Sequence, residues 1–338
     1  MVRACVIGAG AAGLCAARHL LVEPMVSQVD ILEQAGQLGG TWVYTEDVGY
    51  DDFGLPIHTS MYKSLRTNLP KEIMGFPDFP VPESEKSYLP AKEMLAFLQL
   101  YADKNRVTRQ IKFHHHVQLV KPKMGSSGEL WDITFKDLTT GVSETREYHY
   151  VFVCNGHYNT PFIPQIPGLK EFKGEILHSH NYRVPDIFTS QRVLVVGAGP
   201  SGMDIALEVT SVADKVLLSH HLDEKPKTVF PDKLVQKPDV VRLDGHTAHF
   251  KDGSQEDVDV VFLCTGSLLR AFYERHLQPT FPGADDTAMG GGETGSSCQR
   301  LHQEAGSHDG PGPGVVLHIA RRRVRGHSAS ARLHSDTQ

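Results

Sequence analysis

A chain of 338 residues has room for two domains, each with its own core, and 40% apolar against 22% charged residues reads as a soluble globular protein. The formal charge of −6 brings no ordered basic face, so nucleic acid is not an expected partner. No apolar run approaches the roughly 20 residues needed to cross a bilayer, and a strand starting at Val2 leaves no space for a signal peptide, so a cytoplasmic location is expected.

The N-terminal stretch reads as strand (Val2 to Ile7), glycine turn, helix (Ala11 to Leu21) and strand (Val29 to Leu32), a β-α-β unit that implies a parallel sheet. Residues Gly36 to Pro90 are dense in Gly, Pro, Asp and Asn, too long for a plain connection and too aromatic for a linker, so they are expected to cover a site. Ala91 to Lys104 has helical periodicity. Ile111 to Val120, Leu130 to Phe135 and Tyr148 to Cys154 read as three strands of an antiparallel β-meander, with a turn at Gly125-Ser126-Ser127-Gly128.

Pro161 to Pro167 marks a stiff boundary, after which the pattern starts again. Arg192 to Val196 is a strand, Pro200 to Val212 a helix and Lys215 to Leu218 a strand. Turns at Asp244-Gly245 and Lys251-Asp252-Gly253 follow, then the strand Val258 to Cys264. Both halves close alike, on Val151-Phe152-Val153-Cys154-Asn155-Gly156 and Val261-Phe262-Leu263-Cys264-Thr265-Gly266. This is an internal duplication: an α/β chain with two Rossmann-like dinucleotide-binding domains at 1–165 and 166–270. Residues 271–338 form a tail of low hydrophobicity in which disorder is expected, since only 8 of the last 60 residues are Leu, Ile, Val or Phe. Its basic run Arg321-Arg322-Arg323-Val324-Arg325 reads first as solvated charge, then as a localisation or lipid signal.

The five cysteines (Cys5, Cys15, Cys154, Cys264, Cys298) form no C-x-x-C pair, which argues against zinc and redox dithiol chemistry; Cys5, Cys154 and Cys264 lie in strand runs and read as small core residues. His114-His115-His116 invites a metal reading, but alternate residues of a strand face opposite ways.

Gly8-Ala9-Gly10-Ala11-Ala12-Gly13 follows a strand, opens a helix and is followed twenty residues after Gly13 by Glu33 at a strand end, the full dinucleotide fingerprint. Gly8 serves the turn, Gly10 the approach of a pyrophosphate and Gly13 the helix–strand packing. Free amides around Ala12 hold phosphate, and Glu33 accepts from ribose hydroxyls. Gly197-Ala198-Gly199-Pro200-Ser201-Gly202 repeats the loop with no acid at its second strand end. Ser219, His220 and His221 stand there, with Lys225 and Lys227 downstream, a donor set suited to the 2′-phosphate of NADP.

Phe172-Lys173-Gly174-Glu175-Ile176-Leu177-His178-Ser179-His180-Asn181-Tyr182 reads F-x-G-x-x-x-H-x-x-x-Y and resembles the identifying sequence of flavin-containing monooxygenases. Gly39-Gly40-Thr41-Trp42 is similar to that family's flavin-side loop. Leu65 to Lys71 and Phe76-Pro77-Asp78-Phe79-Pro80 look like its active-site segment. The motif ends Tyr182-Arg183 where the related Baeyer–Villiger enzymes end Trp-Pro. The finer pattern is similar to the insect branch that includes alkaloid N-oxygenases.

The resemblance implies the glutathione-reductase-like two-domain plan, with FAD on the first domain and NADPH on the second. It implies oxygenation by O2 of a small-molecule amine or sulfide through a flavin hydroperoxide. It places Gly8, Gly10, Gly13, Glu33, Gly40 and Trp42 around FAD, and Asn68 as the catalytic residue beside the flavin's reactive edge and the nicotinamide. It places His178 and Tyr182 at the domain junction, supporting NADP. Asn68 also reads as a turn residue before Pro70, and His178 and Tyr182 as hinge residues. Tyr44, Tyr50 and Met61 are candidate pocket residues. Members of the family continue past the second C-T-G-like strand with a segment that returns to the FAD domain, and the sequence after Gly266 is unrelated to it. A flavin-binding product with impaired or absent activity is therefore one alternative, and ketone oxygenation of the Baeyer–Villiger kind another. Substrate identity and oligomeric state stay open, a homodimer included.

Overall fold

The computed structural model describes residues 1–125, 128–222, 228–268 and 318–319. The expectations for Ser126, Ser127, Lys225, Lys227, Cys298 and the tail lie outside the described residues, apart from 318–319.

The first half alternates strand and helix. β1 (Val2–Ile7) leads into α1 (Ala11–Val22), and β2 (Val26–Leu32) returns parallel to β1. Ala4, Cys5 and Val6 are fully buried: Val6 lies under Leu14, Ala16 and Ala17 of α1, and Cys5 faces the other side of the sheet with Val117, Ile133 and Phe135. α2 (Ala91–Lys104) presents Met94, Phe97, Leu98 and Tyr101 at helical spacing to the same core. Phe76 stacks on Tyr101 at 4.1 Å and Phe79 meets it edge-on at 5.3 Å, so this segment packs as core on α2. Asp78 between them pairs with Arg18 of α1.

The apolar run from Ile111 to Val120 is two strands in two sheets. β3 (Ile111–Lys112) extends the parallel sheet, and β4 (His115–Gly125) begins the meander with β5 (Gly128–Asp137) and β6 (Ser143–Tyr148). His114 breaks the run with a left-handed φ of 57°. The last strand of the meander is thus Ser143–Tyr148, while β7 (Tyr150–Val153) lies parallel to β1. The buried Asp30 carboxylate fixes the meander to the sheet, accepting from Tyr148 Oη at 2.7 Å and facing Lys112 Nζ at 3.4 Å.

The second half repeats this order. β8 (Glu175–His178) precedes β9 (Arg192–Val196), α3 (Pro200–Val209), β10 (Lys215–Ser219) and β11 (Leu234–Lys237). A three-stranded meander of β12 (Val240–Asp244), β13 (Thr247–Phe250) and β14 (Gln255–Asp257) follows, then β15 (Val260–Leu263). The sheets order as β7-β1-β2-β3 and β15-β9-β10-β11, the same topology, with β8 added beside β15. Both units are Rossmann-like dinucleotide-binding folds.

β16 (His318–Ile319) pairs antiparallel with β7 and falls in the stretch expected to lack strands. The open edge of β7 offers unpaired N–H and C=O groups, which recruit chain irrespective of its composition. The entry and exit of the second half run side by side: Phe162 N–H donates to Gly266 O at 2.9 Å and Leu268 N–H to Thr160 O at 2.8 Å. Among the described residues no helix is long and apolar enough to cross a membrane.

Candidate functional site

The two glycine loops make the same close contacts at their first and third glycines. Gly8 has φ +98°, and a Cβ there would lie 2.6 Å from Cys154 O; Gly197 has φ +106° and would lie 2.6 Å from Cys264 O. A Cβ on Gly13 would meet Gly8 O at 1.9 Å, and one on Gly202 would meet Gly197 O at 1.9 Å. Neither position accepts any other residue without moving backbone. Burial pushes the Cys154 thiol up to about 12, and raises Cys5 and Cys264 as well, which suits inert packing residues.

Each helix starts without a side-chain cap and without an acid in its first turn. The first intrahelical bonds are Leu14 N–H to Gly10 O and Met203 N–H to Gly199 O, both 3.0 Å, so earlier amides, Ala12 and Ser201 among them, keep their donors for another partner. A Cβ on Gly10 would lie 3.6 Å from the Gly40 Cα, in a turn fixed by Gly39 N–H to Ala9 O at 3.0 Å. Nothing lies within 4 Å of a Cβ on Gly199, which is exposed with Pro200 and Ser201.

Glu33 accepts from Ala9 N–H at 2.7 Å and Ala35 N–H at 2.8 Å, one on each oxygen. Burial raises its pKa, and the amides of Ala35, Ala9 and Gln34 oppose that rise. The remaining lone pairs suit ribose hydroxyls. Trp42 packs against the first core beside the Gly40 turn. These features fit a dinucleotide on the first loop: a cradle that any Cβ would fill, uncapped amides and a half-satisfied carboxylate.

At the second strand end the predicted donors divide. Ser219 is 1% exposed, and its hydroxyl donates to Pro238 O at 2.9 Å and accepts from Val240 N–H at 3.0 Å. His220 is buried, with Nε2 on Gln236 Oε1 at 3.1 Å and Nδ1 accepting from Leu222 N–H. Both side chains are committed to holding β10 in place. The neighbouring His221 is exposed and lies 3.8 Å from Asp239, leaving it as the donor turned to solvent. The loop fits a second dinucleotide, and Ser219, at the end of β10, stands where the first half has Glu33; the acid beside His221 among the described residues is Asp239.

Asn68 is exposed, whereas Thr67 beside it is 4% exposed. The backbone around Asn68 is pinned by Thr67 N–H to Leu89 O at 2.8 Å, Ala91 N–H to Leu65 O at 3.1 Å and Lys71 N–H to Ser87 O at 2.7 Å. The side chain is therefore presented from a rigid ladder. Tyr44, Tyr50 and Met61 do not share one environment: Met61 is buried, Tyr50 is 70% exposed and the Tyr44 hydroxyl is buried without a partner.

The turn at His178–Tyr182 gathers further residues around the junction. His178 Nδ1 accepts from His180 N–H at 3.0 Å, so the neutral ring holds its proton on Nε2, which is buried and without a hydrogen bond. His58 sits against Gly156 at the end of β7, 3.2 Å from where that residue's Cβ would be. Burial, with His180 adding repulsion, lowers both His58 and His178 to about 4. Tyr182 is fully buried, its hydroxyl donates to Glu208 Oε2 on α3 at 2.7 Å, and its ring lies 5.5 Å from Tyr62. Tyr62, from the long loop of the first half, inserts into the second core and bonds Asp204 one helical turn before Glu208. Arg183 is buried at the same junction. Of these, Arg183 had one signal in the sequence, the basic residue following the motif's tyrosine; His58, Tyr62 and Asp204 had none.

Duplicated α/β halves with paired glycine cradles define a protein with two dinucleotide-binding folds. The chain belongs to the flavin-containing monooxygenases: the family model for flavin-binding monooxygenase-like proteins matches residues 1–224. It is 33% identical over 280 residues to senecionine N-oxygenase of Tyria jacobaeae, covering 81% of this chain and 59% of that protein. It is 38% identical over 279 residues to the flavin-containing monooxygenase FMO GS-OX5 of Arabidopsis thaliana, covering 77% and 59%. Among solved structures, Tmm from Pelagibacter sp. superposes with a TM-score of 0.74 at 30% identity, over 82% of this chain and 63% of that one. S-allyl-L-cysteine S-oxygenase from Allium sativum gives 0.72 at 33%, over 79% and 63%. The chain spans about three-fifths of the length of the curated relatives it matches.

Proposed function

We propose that this chain is an NADPH- and O2-dependent FAD monooxygenase that places one oxygen atom on a nucleophilic nitrogen or sulfur of a small molecule. The observation that carries the reading is the cradle built twice, with a carboxylate at the first strand end and none at the second. Relatives named for N-oxygenation and S-oxygenation support the substrate class.

The amides of Gly10, Ala12 and Gly13 hold the FAD diphosphate, Glu33 its ribose, and Gly40 with Trp42 closes over the flavin side. Gly197, Gly199, Ser201 and Gly202 hold the NADPH diphosphate, and the end of β10 at Ser219 and His220 takes the 2′-phosphate, with His221 as its solvent-facing donor. FAD supplies the redox and oxygen-activating chemistry. Asn68 orients the reacting edge, and His178 and Tyr182 hold the NADPH fold in place, neither moving a proton. Burial around the junction excludes water, which favours oxygen transfer over loss of hydrogen peroxide.

The purified chain is expected to be yellow and to bleach on anaerobic addition of NADPH; colourless protein overturns the reading. Product analysis with a tertiary amine, a thioether and a cyclic ketone should give N-oxide and sulfoxide, and a lactone would mark Baeyer–Villiger chemistry instead. Because attack needs a free lone pair, the rate on an alkylamine rises with pH through that amine's own pKa. A flat profile with unchanged flavin reduction counts against direct attack.

A further inference from the structure

Arg183 is 6% exposed and faces main-chain carbonyls. Nη1 donates to His180 O and Tyr182 O, both at 2.9 Å, and Nη2 to Asp47 O at 3.0 Å and Thr59 O at 3.2 Å. Nε is buried without a partner, and among the described residues no carboxylate forms an ion pair with this guanidinium. A buried cation held by carbonyls and the Asp47 charge, without an ion pair, is costly, and a hydrophobic side chain of that size would pack there without the penalty. What Arg offers is a planar fork reaching several acceptors at fixed angles, which the point charge of Lys cannot match.

The four carbonyls lie on two sides of the molecule's junction. Asp47 and Thr59 bracket a hairpin in the first half, closed by Ile57 N–H to Gly49 O at 2.9 Å. Thr59 Oγ1 in turn donates to Thr41 O at 3.0 Å, inside the Gly40–Trp42 turn that faces Gly10. Further along the same loop of the first half, Lys63 N–H donates to Arg183 O at 3.0 Å, next to Tyr62, whose hydroxyl crosses to bond Asp204 on α3. α3 begins at the second cradle. A continuous series of contacts thus runs from Gly10 through Thr41, Thr59, Arg183 and Tyr62 to α3.

We propose that Arg183 is a positioning residue that sets the spacing of the two dinucleotide cradles, acting through Thr59 on the first and through Tyr62 on the second. This rests on the two-cofactor reading above, and the geometry for hydride transfer between the cofactors is what it would control. A misplacement of about 1 Å costs such a step up to about 100-fold.

The test compares full-length wild type with Arg183→Lys and Arg183→Ala, measuring flavin content, NADP+ affinity, single-turnover bleaching by saturating NADPH, and amide hydrogen exchange across residues 47–63. For Arg183→Lys we expect flavin content and NADP+ affinity within about twofold of wild type, bleaching slowed about 10- to 100-fold, and faster exchange in 47–63. Millimolar guanidinium should restore much of the bleaching rate to Arg183→Ala. Wild-type bleaching in Arg183→Lys overturns the proposal, as does parallel loss of flavin, NADP+ affinity and rate without guanidinium rescue. If wild type itself holds no flavin, the cofactor reading fails separately. Hydrogen exchange then decides: unchanged protection of 47–63 in Arg183→Lys overturns the clamp, and faster exchange upholds it.

Discussion

Two glycines of the second cradle, three residues apart, should respond to the same substitution in opposite ways. Gly202→Ala drives a Cβ to 1.9 Å from Gly197 O, a backbone clash with nothing flexible to yield. Destabilisation of about 3 kcal/mol or more is expected, seen as a large loss of urea midpoint or of soluble protein. Gly199→Ala meets no atom within 4 Å, and its φ of −70° is open to any residue. That variant should fold within about 1 kcal/mol of wild type yet lose NADPH affinity, because the new methyl fills the space a pyrophosphate needs. Equal stability losses in the two variants would refute this division. The glycine spacing was legible in sequence because its cause is local sterics. The bonds of Ser219 and His220 were not legible for the opposite reason: their commitment to Pro238, Val240 and Gln236 depends on the parallel neighbour β11, and strand order is not written at a strand's end.

At the scale of elements, the β-α-β units, α2 and the duplication were visible through periodicity, and the division of strands between sheets was not. Ile111 to Val120 is one unbroken apolar-rich run, but His114 at φ 57° turns the chain from one sheet into another, and no glycine announces it. Tyr148 to Cys154 alternates well enough to pass for a meander strand, while its partner is β1. The ladder joining 65–71 to 87–91 was equally hidden, since its bonds are main-chain, and it is what makes an exposed Asn68 rigid. Asn68→Ala should therefore change stability by less than about 0.5 kcal/mol and leave flavin content unaltered. Hydrogen peroxide should rise at the expense of oxygenated product. Tight coupling preserved in Asn68→Ala would remove this residue from the site.

For the molecule as a whole, acid should loosen the junction. His58 and His178 titrate near 4 in the folded chain against an ordinary value of 6.5, so between those limits the unfolded chain binds more protons than the native one. The two histidines leave stability untouched above about pH 6.5, and it falls as pH drops toward 4, by up to about 3 kcal/mol for each. Urea midpoints measured from pH 7.5 to 4.5 should show that slope. His58→Phe should flatten part of it, and an unchanged slope in that variant would assign the acid sensitivity elsewhere. This burial could not be read from sequence, because it arises where the end of β7, the fingerprint turn and the long loop of the first half converge.

The two cradles differ in one respect that has a kinetic meaning. Gly40 lies across Gly10, so the first loop is flanked by its own chain, while among the described residues nothing lies within 4 Å of a Cβ on Gly199, which is exposed. On the two-cofactor proposal, a molecule seated on the first loop, beside the Gly39–Trp42 turn, is expected to leave more slowly than one on the second. The proposal then predicts one retained and one exchanging carrier, which a comparison of the two dissociation rates would check.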